Sequence, residues 1–378
     1  MTELAISQPR TITPLAALSA STPKPAPLAE YHGVQTPAAL EPLEQELAAL
    51  ALGAAVHDLG WLRRTAVRGE DRFRWLSGMV TNTVNDLGPR HGAWNLVLNA
   101  QGRILGDMTV WREENQLTLE MAADQQEKLV DHLEHFIIMD DVELARLGEE
   151  RGAEETALGL TGPDADAVLQ RMSLAPLAEP MTATEQEWNG MNLRIHRQFG
   201  TLAKHYVIWA PVATLGILWR AMLTAGASPV GAQAIEAFRI AEGIPTYGVD
   251  IVERDLAQET SQMRALHFSK GCYLGQEIVE RIRSRGNVHR HLRQLELDGP
   301  IPAVGTELIL APAEGASEGE SKPAGQLTSV AELPLEGGVR RFALGMIRGE
   351  AEALNKPLQY TVNGETGVAR LLAAPPVL

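Results

Sequence analysis

Cys272 is the chain's only cysteine, and it stands in Lys270-Gly271-Cys272-Tyr273-Leu274-Gly275-Gln276-Glu277, two residues after a lysine. Apolar Ile278, Val279 and Ile282 follow at helical spacing and Gly286 supplies a stop, so a helix is expected over 276–285 with the thiol near its N-terminus. The thiolate is the reactive form of cysteine, and both the positive helix end and Lys270 favour it. The competing reading is a buried cysteine acting as a small hydrophobe. Downstream, Arg281, Arg283, Arg285, Arg290 and Arg293, with His289 and His291, form a basic run. Such a run suits an anionic ligand tail, a phosphate-bearing partner or an acidic protein surface; a solvated helix face is the alternative. A soft metal would favour the thiolate, and His267, His289 and His291 are near in sequence, as His132 and His135 are on an expected helix. None of these spacings matches a closed metal site, so no stably bound metal is expected, while a cluster shared transiently with a partner stays compatible with one thiol.

These residues must be positioned by a chain of 378 residues with 45% hydrophobic content, enough for more than one core. One cysteine excludes an internal disulfide and fits a reducing cytoplasm. Met1 to Ala39 lacks the layout of a signal peptide and no window reaches the ~18 apolar residues of a membrane span, so a soluble cytoplasmic protein without membrane contact is expected. A formal net charge of -15 opposes stable nucleic-acid binding.

Residues 1–38, rich in Pro, Thr, Ser and Ala, are expected to be disordered or loosely attached. Helices are expected at 40–52, 72–80, 124–136, 164–172, 212–225 and 232–242. A strand pattern lies at 63–67, those at 93–98, 104–111 and 116–121 predict an antiparallel meander, another strand is expected at 155–160, and a second set lies at 182–188, 191–197 and 205–208. Short strands at 293–297, 306–309, 325–329, 342–346 and 359–362 suggest a small β-barrel, with 312–323 as a mobile hairpin tip. Mixed but not alternating elements indicate an α+β protein rather than a doubly wound parallel sheet. The expected organisation is a loose segment 1–38, a first α+β part 39–150, a second ferredoxin-like α+β domain 151–230, a return segment 231–290 carrying the cysteine motif, and a barrel 291–378.

The run Lys-Gly-Cys-Tyr-x-Gly-Gln-Glu at 270–277 resembles the signature of the YgfZ-type folate-binding family, related to the glycine-cleavage T-protein aminomethyltransferases. Glu236 to Pro245, Thr161 to Ala165, Leu98 to Ile104 and Gly325 to Ser329 resemble further elements of that family in the same order. The resemblance spans roughly residues 50–372. It implies two α+β portions and a C-terminal β-barrel around a central channel that holds tetrahydrofolate or a derivative. On that reading Glu242 meets the ring donors of a reduced pterin, Arg239 pairs with Glu242 or with the ligand, and Trp94, Tyr247 and Tyr273 offer flat faces, with Asn99, Lys270 and Gln276 completing the folate-binding set. Glu242 as a solvated helix terminus is the bland alternative. Asp107 resembles an acid that T-protein enzymes place beside the folate one-carbon unit within an Asp-Asp pair, although here Gly106 precedes it.

The function so implied is that of a tetrahydrofolate-binding accessory protein in iron-sulfur cluster assembly or repair, with client or assembly proteins as partners, including radical tRNA-modifying enzymes, and with Cys272 and Asp107 as the reactive groups. The alternative is a tetrahydrofolate-dependent aminomethyl- or methyltransferase using Asp107 and indifferent to Cys272. A third reading is a folate-binding regulatory module without chemistry.

Overall fold

The computed structural model describes residues 11–21, 25–151, 153–286, 288–310, 322–335 and 338–378. Two antiparallel-rich sheets and a closed barrel carry the architecture. The first sheet orders its strands as Gly92–Leu98, Ile104–Arg112, Leu117–Ala122, Leu62–Arg68 and Glu143–Leu147. Its first three are the expected meander, with Leu96 opposite Asp107 and Val110 opposite Leu119. The second sheet runs Thr182–Trp188, Met191–Gln198, His205–Pro211, Glu155–Thr161, Ala55–Asp58 and Ser228–Pro229. Ala55–Asp58 therefore belongs with residues beyond 151, paired antiparallel to Glu155–Thr161, although it precedes the whole first sheet in sequence. A four-residue buried strand has too few positions to show a period, so no local pattern marks it. The six barrel strands lie within 290–371; five fall on the expected short strand patterns, and the sixth, Glu365–Leu371, was not expected. The 312–323 insertion falls outside the described residues, apart from the end of the hairpin at Lys322 and Pro323.

The helix Ala232–Glu242 sits at the centre. Ala234, Ala237, Phe238 and Ala241 pack in one cluster with Leu96 and Ile104 of the first sheet, Tyr273 and Val279 of the cysteine segment, and Leu333, Phe342 and Leu344 of the barrel. Phe238 is 1% exposed, and its burial contributes about 2 kcal/mol. Gly243 ends the helix in the left-handed region at φ 73°, where its N–H and that of Ile244 take helix carbonyls. That turn fixes where Glu242 faces.

The expectation of a loose 1–38 segment needs correction over the described part. Pro14–Ala20 is a helix capped by Thr13, whose Oγ1 accepts from the Ala16 N–H at 3.2 Å, and Leu28–Tyr31 pairs with Val34–Pro37 as a hairpin. Both are tied down by one buried carboxylate: Asp58 accepts from the Thr13 hydroxyl, from Thr36 at 2.8 Å and from the Gly60 N–H at 2.8 Å. No periodicity announces this, because the anchor is a single residue far along the chain.

Candidate functional site

Where the two sheets meet the end of the central helix there is a cavity of about 280 Å³. The strand Ile104–Arg112 contributes Asp107, the neighbouring strand contributes Trp94, the second sheet contributes His205 and Tyr206, and the central helix contributes Phe238, Arg239 and Glu242. A smaller recess of about 180 Å³ shares Trp94, Asp107, Gln198 and Phe199 and adds Arg264. Acceptors and flat faces thus converge on one space.

Asp107 is half-buried and held by two neutral donors, Trp94 Nε1 at 2.9 Å and Gln125 Nε2 at 2.9 Å. The Gln125 Oε1 in turn accepts the Asp107 N–H at 2.9 Å. Burial raises the Asp107 carboxyl above its ordinary value, and these hydrogen bonds oppose that without cancelling it. Gly106 is what admits Gln125, since a side chain begun at 106 would meet Gln125 Oε1 at 2.7 Å and Leu129 at 2.9 Å. The space beside Asp107 is thus filled by a neutral amide.

Glu242 is 2% exposed, so it is not a solvated helix terminus. Its Oε1 accepts from the N–H groups of Thr201 at 3.1 Å, Leu202 at 3.0 Å and Ala203 at 3.4 Å, and Oε2 lies 2.8 Å from His205 Nε2. Burial alone would raise this carboxyl, but His205 and the backbone donors outweigh it and hold it below the usual range. Behind His205, Thr161 Oγ1 lies 3.2 Å from its Nδ1 and 3.1 Å from His57 Nε2. Burial pushes His57 down to about 3, with His205 adding to the effect. Gly159 makes room for that ring, since any Cβ there would fall 2.0 Å from it.

The other expected site residues divide sharply. Trp94 and Tyr247 line the cavity. Arg239 also reaches it, but its guanidinium is committed to Glu236 at 2.7 Å, Asp250 at 2.7 Å, the Ile244 carbonyl at 3.0 Å and Ser329 at 3.1 Å, bracing the helix against the barrel rather than pairing with Glu242. Asn99, Lys270, Tyr273 and Gln276 are not among the residues that line the cavity. Asn99 Oδ1 closes its own turn on the N–H groups of Gln101 and Arg103, and Lys270 Nζ donates to the carbonyls of Ser77, Val80 and Asn82 at 2.6–2.7 Å. Tyr273 is buried in the central core, and Gln276 Oε1 accepts the Tyr273 N–H at 3.1 Å. Gly275, at φ 80°, packs so closely on the 99–102 turn that a Cβ would sit 2.6 Å from the Asn99 carbonyl. The two sequence motifs meet each other, and their glycines serve that contact. Cys272 is exposed on the loop before the helix Gln276–Arg285 and is not a wall of either recess.

Sequence reasoning missed Arg264, Phe199 and His205. The Arg264 guanidinium lies between Trp94 at 4.4 Å and Phe199 at 4.0 Å, and its side chain has no carboxylate partner among the described residues. Burial lowers it to about 10, against the opposing charges of Asp107 and Glu242. No spacing marks it, because its neighbours come from three separate stretches of chain.

An α+β protein with two sheets, a C-terminal barrel and an acid-lined cavity between them is the class that fold and site define. Residues 24–270 match the family model described as the GCVT N-terminal domain, and the chain belongs to that family. An aminomethyltransferase of Geobacillus kaustophilus is 24% identical over 359 residues, covering 92% of this chain and 93% of that protein. A putative chloroplastic transferase of Arabidopsis thaliana is 24% identical over 321 residues, covering 82% of this chain and 69% of its own length. The crystal structure of glycine cleavage system aminomethyltransferase T from Bartonella henselae superposes with a TM-score of 0.83 at 19% identity, over 97% of this chain and 98% of that one, a likeness of fold. The T-protein-like arrangement expected from the sequence is therefore the arrangement observed. No helix of the described residues is long and apolar enough to cross a membrane.

Proposed function

We propose that the cavity binds tetrahydrofolate or a derivative and that the chain acts as a folate-dependent one-carbon transferase of the aminomethyltransferase type. The observation that carries this is the Asp107 carboxylate, presented by Trp94 and Gln125 at the junction of the two recesses. The residues fit the group: Trp94 and Tyr247 offer faces for a flat ring, the half-buried Asp107 carboxylate offers an acceptor for ring N–H groups, and Arg264 offers a cation to an acidic tail. When bound, a reduced folate supplies the nitrogen that accepts a one-carbon unit. Asp107 then holds negative charge beside a developing cation, and its raised pKa suits proton transfer. Full-length relatives named aminomethyltransferase support this reading.

A second reading, a YgfZ-type folate-binding accessory protein in iron-sulfur cluster assembly or repair with client proteins as partners, is favoured by Cys272, a free thiol exposed on the loop before the helix Gln276–Arg285. It is also favoured by Gly106 standing beside Asp107 where the resemblance to the aminomethyltransferases implies a second aspartate. The two separate in a single experiment, tetrahydrofolate-dependent release of a one-carbon unit from an amine donor by wild type, Asp107→Asn and Cys272→Ala. Turnover lost in Asp107→Asn and kept in Cys272→Ala supports the transferase. Folate binding without turnover, together with failure of Cys272→Ala to sustain cluster enzymes in cells, supports the accessory role, and absence of folate binding sinks both.

A further inference from the structure

On another face of the sheet junction lies a cleft of about 470 Å³ that shares no wall residue with the folate cavity. Its walls come from the strand Ile104–Arg112 and the turn after it, and from the strands Thr182–Trp188 and Met191–Gln198. Donors and acceptors in this cleft do not balance. Glu155 is paired with Arg64 and lies 3.6 Å from Arg194, Glu185 takes Arg194 at 2.9 Å, and Glu113 accepts from Gln116 at 3.0 Å and Thr118 at 2.7 Å. Among the wall carboxylates only Glu114, exposed on the turn, has no hydrogen-bond or ion-pair partner among the described residues.

The donors are in excess. The Arg90 guanidinium makes no hydrogen bond or ion pair among the described residues, Arg68 bonds the Gln116 amide oxygen at 3.0 Å, and Arg112 bonds the Leu87 carbonyl at 2.6 Å while lying 4.9 Å from the centre of the Phe73 ring. Trp111, in the wall and 1% exposed, has an Nε1–H with no partner, and behind Glu155 the Nε and Nη1 of Arg64, also 1% exposed, are unpartnered. Leaving a buried donor unpaired costs about 1–3 kcal/mol, and a cluster of such donors beside free guanidinium groups is a place where an acceptor-rich group binds with gain.

We infer that this cleft binds a small organic anion through a carboxylate or phosphate group, with Arg90 and Arg112 gripping the charge. The inference does not depend on what the first cavity holds. Titrations of the full-length protein with succinate and with inorganic phosphate, at ionic strength held constant with chloride, followed by calorimetry and tryptophan fluorescence, test it. Saturable binding of either anion is expected; succinate alone assigns a carboxylate ligand and phosphate alone a phosphate ligand. Arg90→Ala, which removes no hydrogen bond or ion pair among the described residues, is expected to fold as wild type and to weaken binding by about tenfold or more, the loss of a charge-assisted bond. No saturable binding of either anion up to about 10 mM, or binding that Arg90→Ala leaves within about twofold, overturns the inference.

Discussion

Replacing Glu242 with Gln removes one charge while keeping shape and one acceptor oxygen. In the wild type the carboxylate takes three backbone N–H groups and faces His205 at 2.8 Å with 2% exposure. An amide oxygen placed on Oε1 keeps the backbone bonds but turns an N–H₂ toward His205, so the pair is broken. Breaking a fully buried pair by removing one partner costs about 3–5 kcal/mol; because the His205 side chain is 22% exposed, a smaller loss is expected, about 2–3 kcal/mol. His205→Gln repeats part of that loss, and a double-mutant cycle should return a coupling of about 1–3 kcal/mol. Urea denaturation at neutral pH measures all four proteins. The pH dependence follows from the sign of the shift. Glu242 sits below its ordinary value near 4.5 in the fold, so it contributes stability above that pH and loses it as the pH falls through the folded value, a loss the Gln variant does not show. A variant as stable as wild type, or a coupling of zero, refutes the argument that this carboxylate is a structural anion under the cavity.

Asp107→Asn is expected to lower kcat by about 100-fold or more with native circular dichroism retained. Because burial raises Asp107 above its ordinary 3.8, the acid limb of the wild-type rate profile should lie above that pH and disappear in the variant. The same raised pKa means the group favours folding only when protonated, so this contribution is present at low pH and lost as the pH rises. Lys270→Met strips donors from three carbonyls and is expected to cost about 2–3 kcal/mol in thermal or urea unfolding while folate affinity holds, since the cavity lies elsewhere. Arg264→Ala should weaken binding of tetrahydrofolate by calorimetry more than that of a reduced pterin lacking the acidic tail; equal weakening would place the guanidinium on the ring.

The order of elements was legible where local pattern carries it. The meander 93–121, the helix 232–242 with its glycine stop and the short barrel strands all follow from periods of two and 3.6 and from turn chemistry, and the helix over 276–285 follows from its apolar spacing. The anchored N-terminal segment and the strand Ala55–Asp58 did not, because each depends on a partner more than twenty residues away in the chain.

For the site, the sequence by itself determined which residues were exceptional: one cysteine in a glycine-flanked motif, a glutamate before a helix-ending glycine, an aspartate on a buried strand. Only the tertiary structure decided what each does. Lys270, Tyr273, Gln276 and Asn99 look like ligand-binding residues when read along the chain, yet packing turns them into a brace between two loops. Arg264 looks like nothing along the chain, yet it is the guanidinium between two aromatic rings at the site. The physical reason is that local propensity depends on neighbours in sequence, whereas a binding site is set by desolvation and electrostatics among groups that meet only when the two sheets and the central helix close around them.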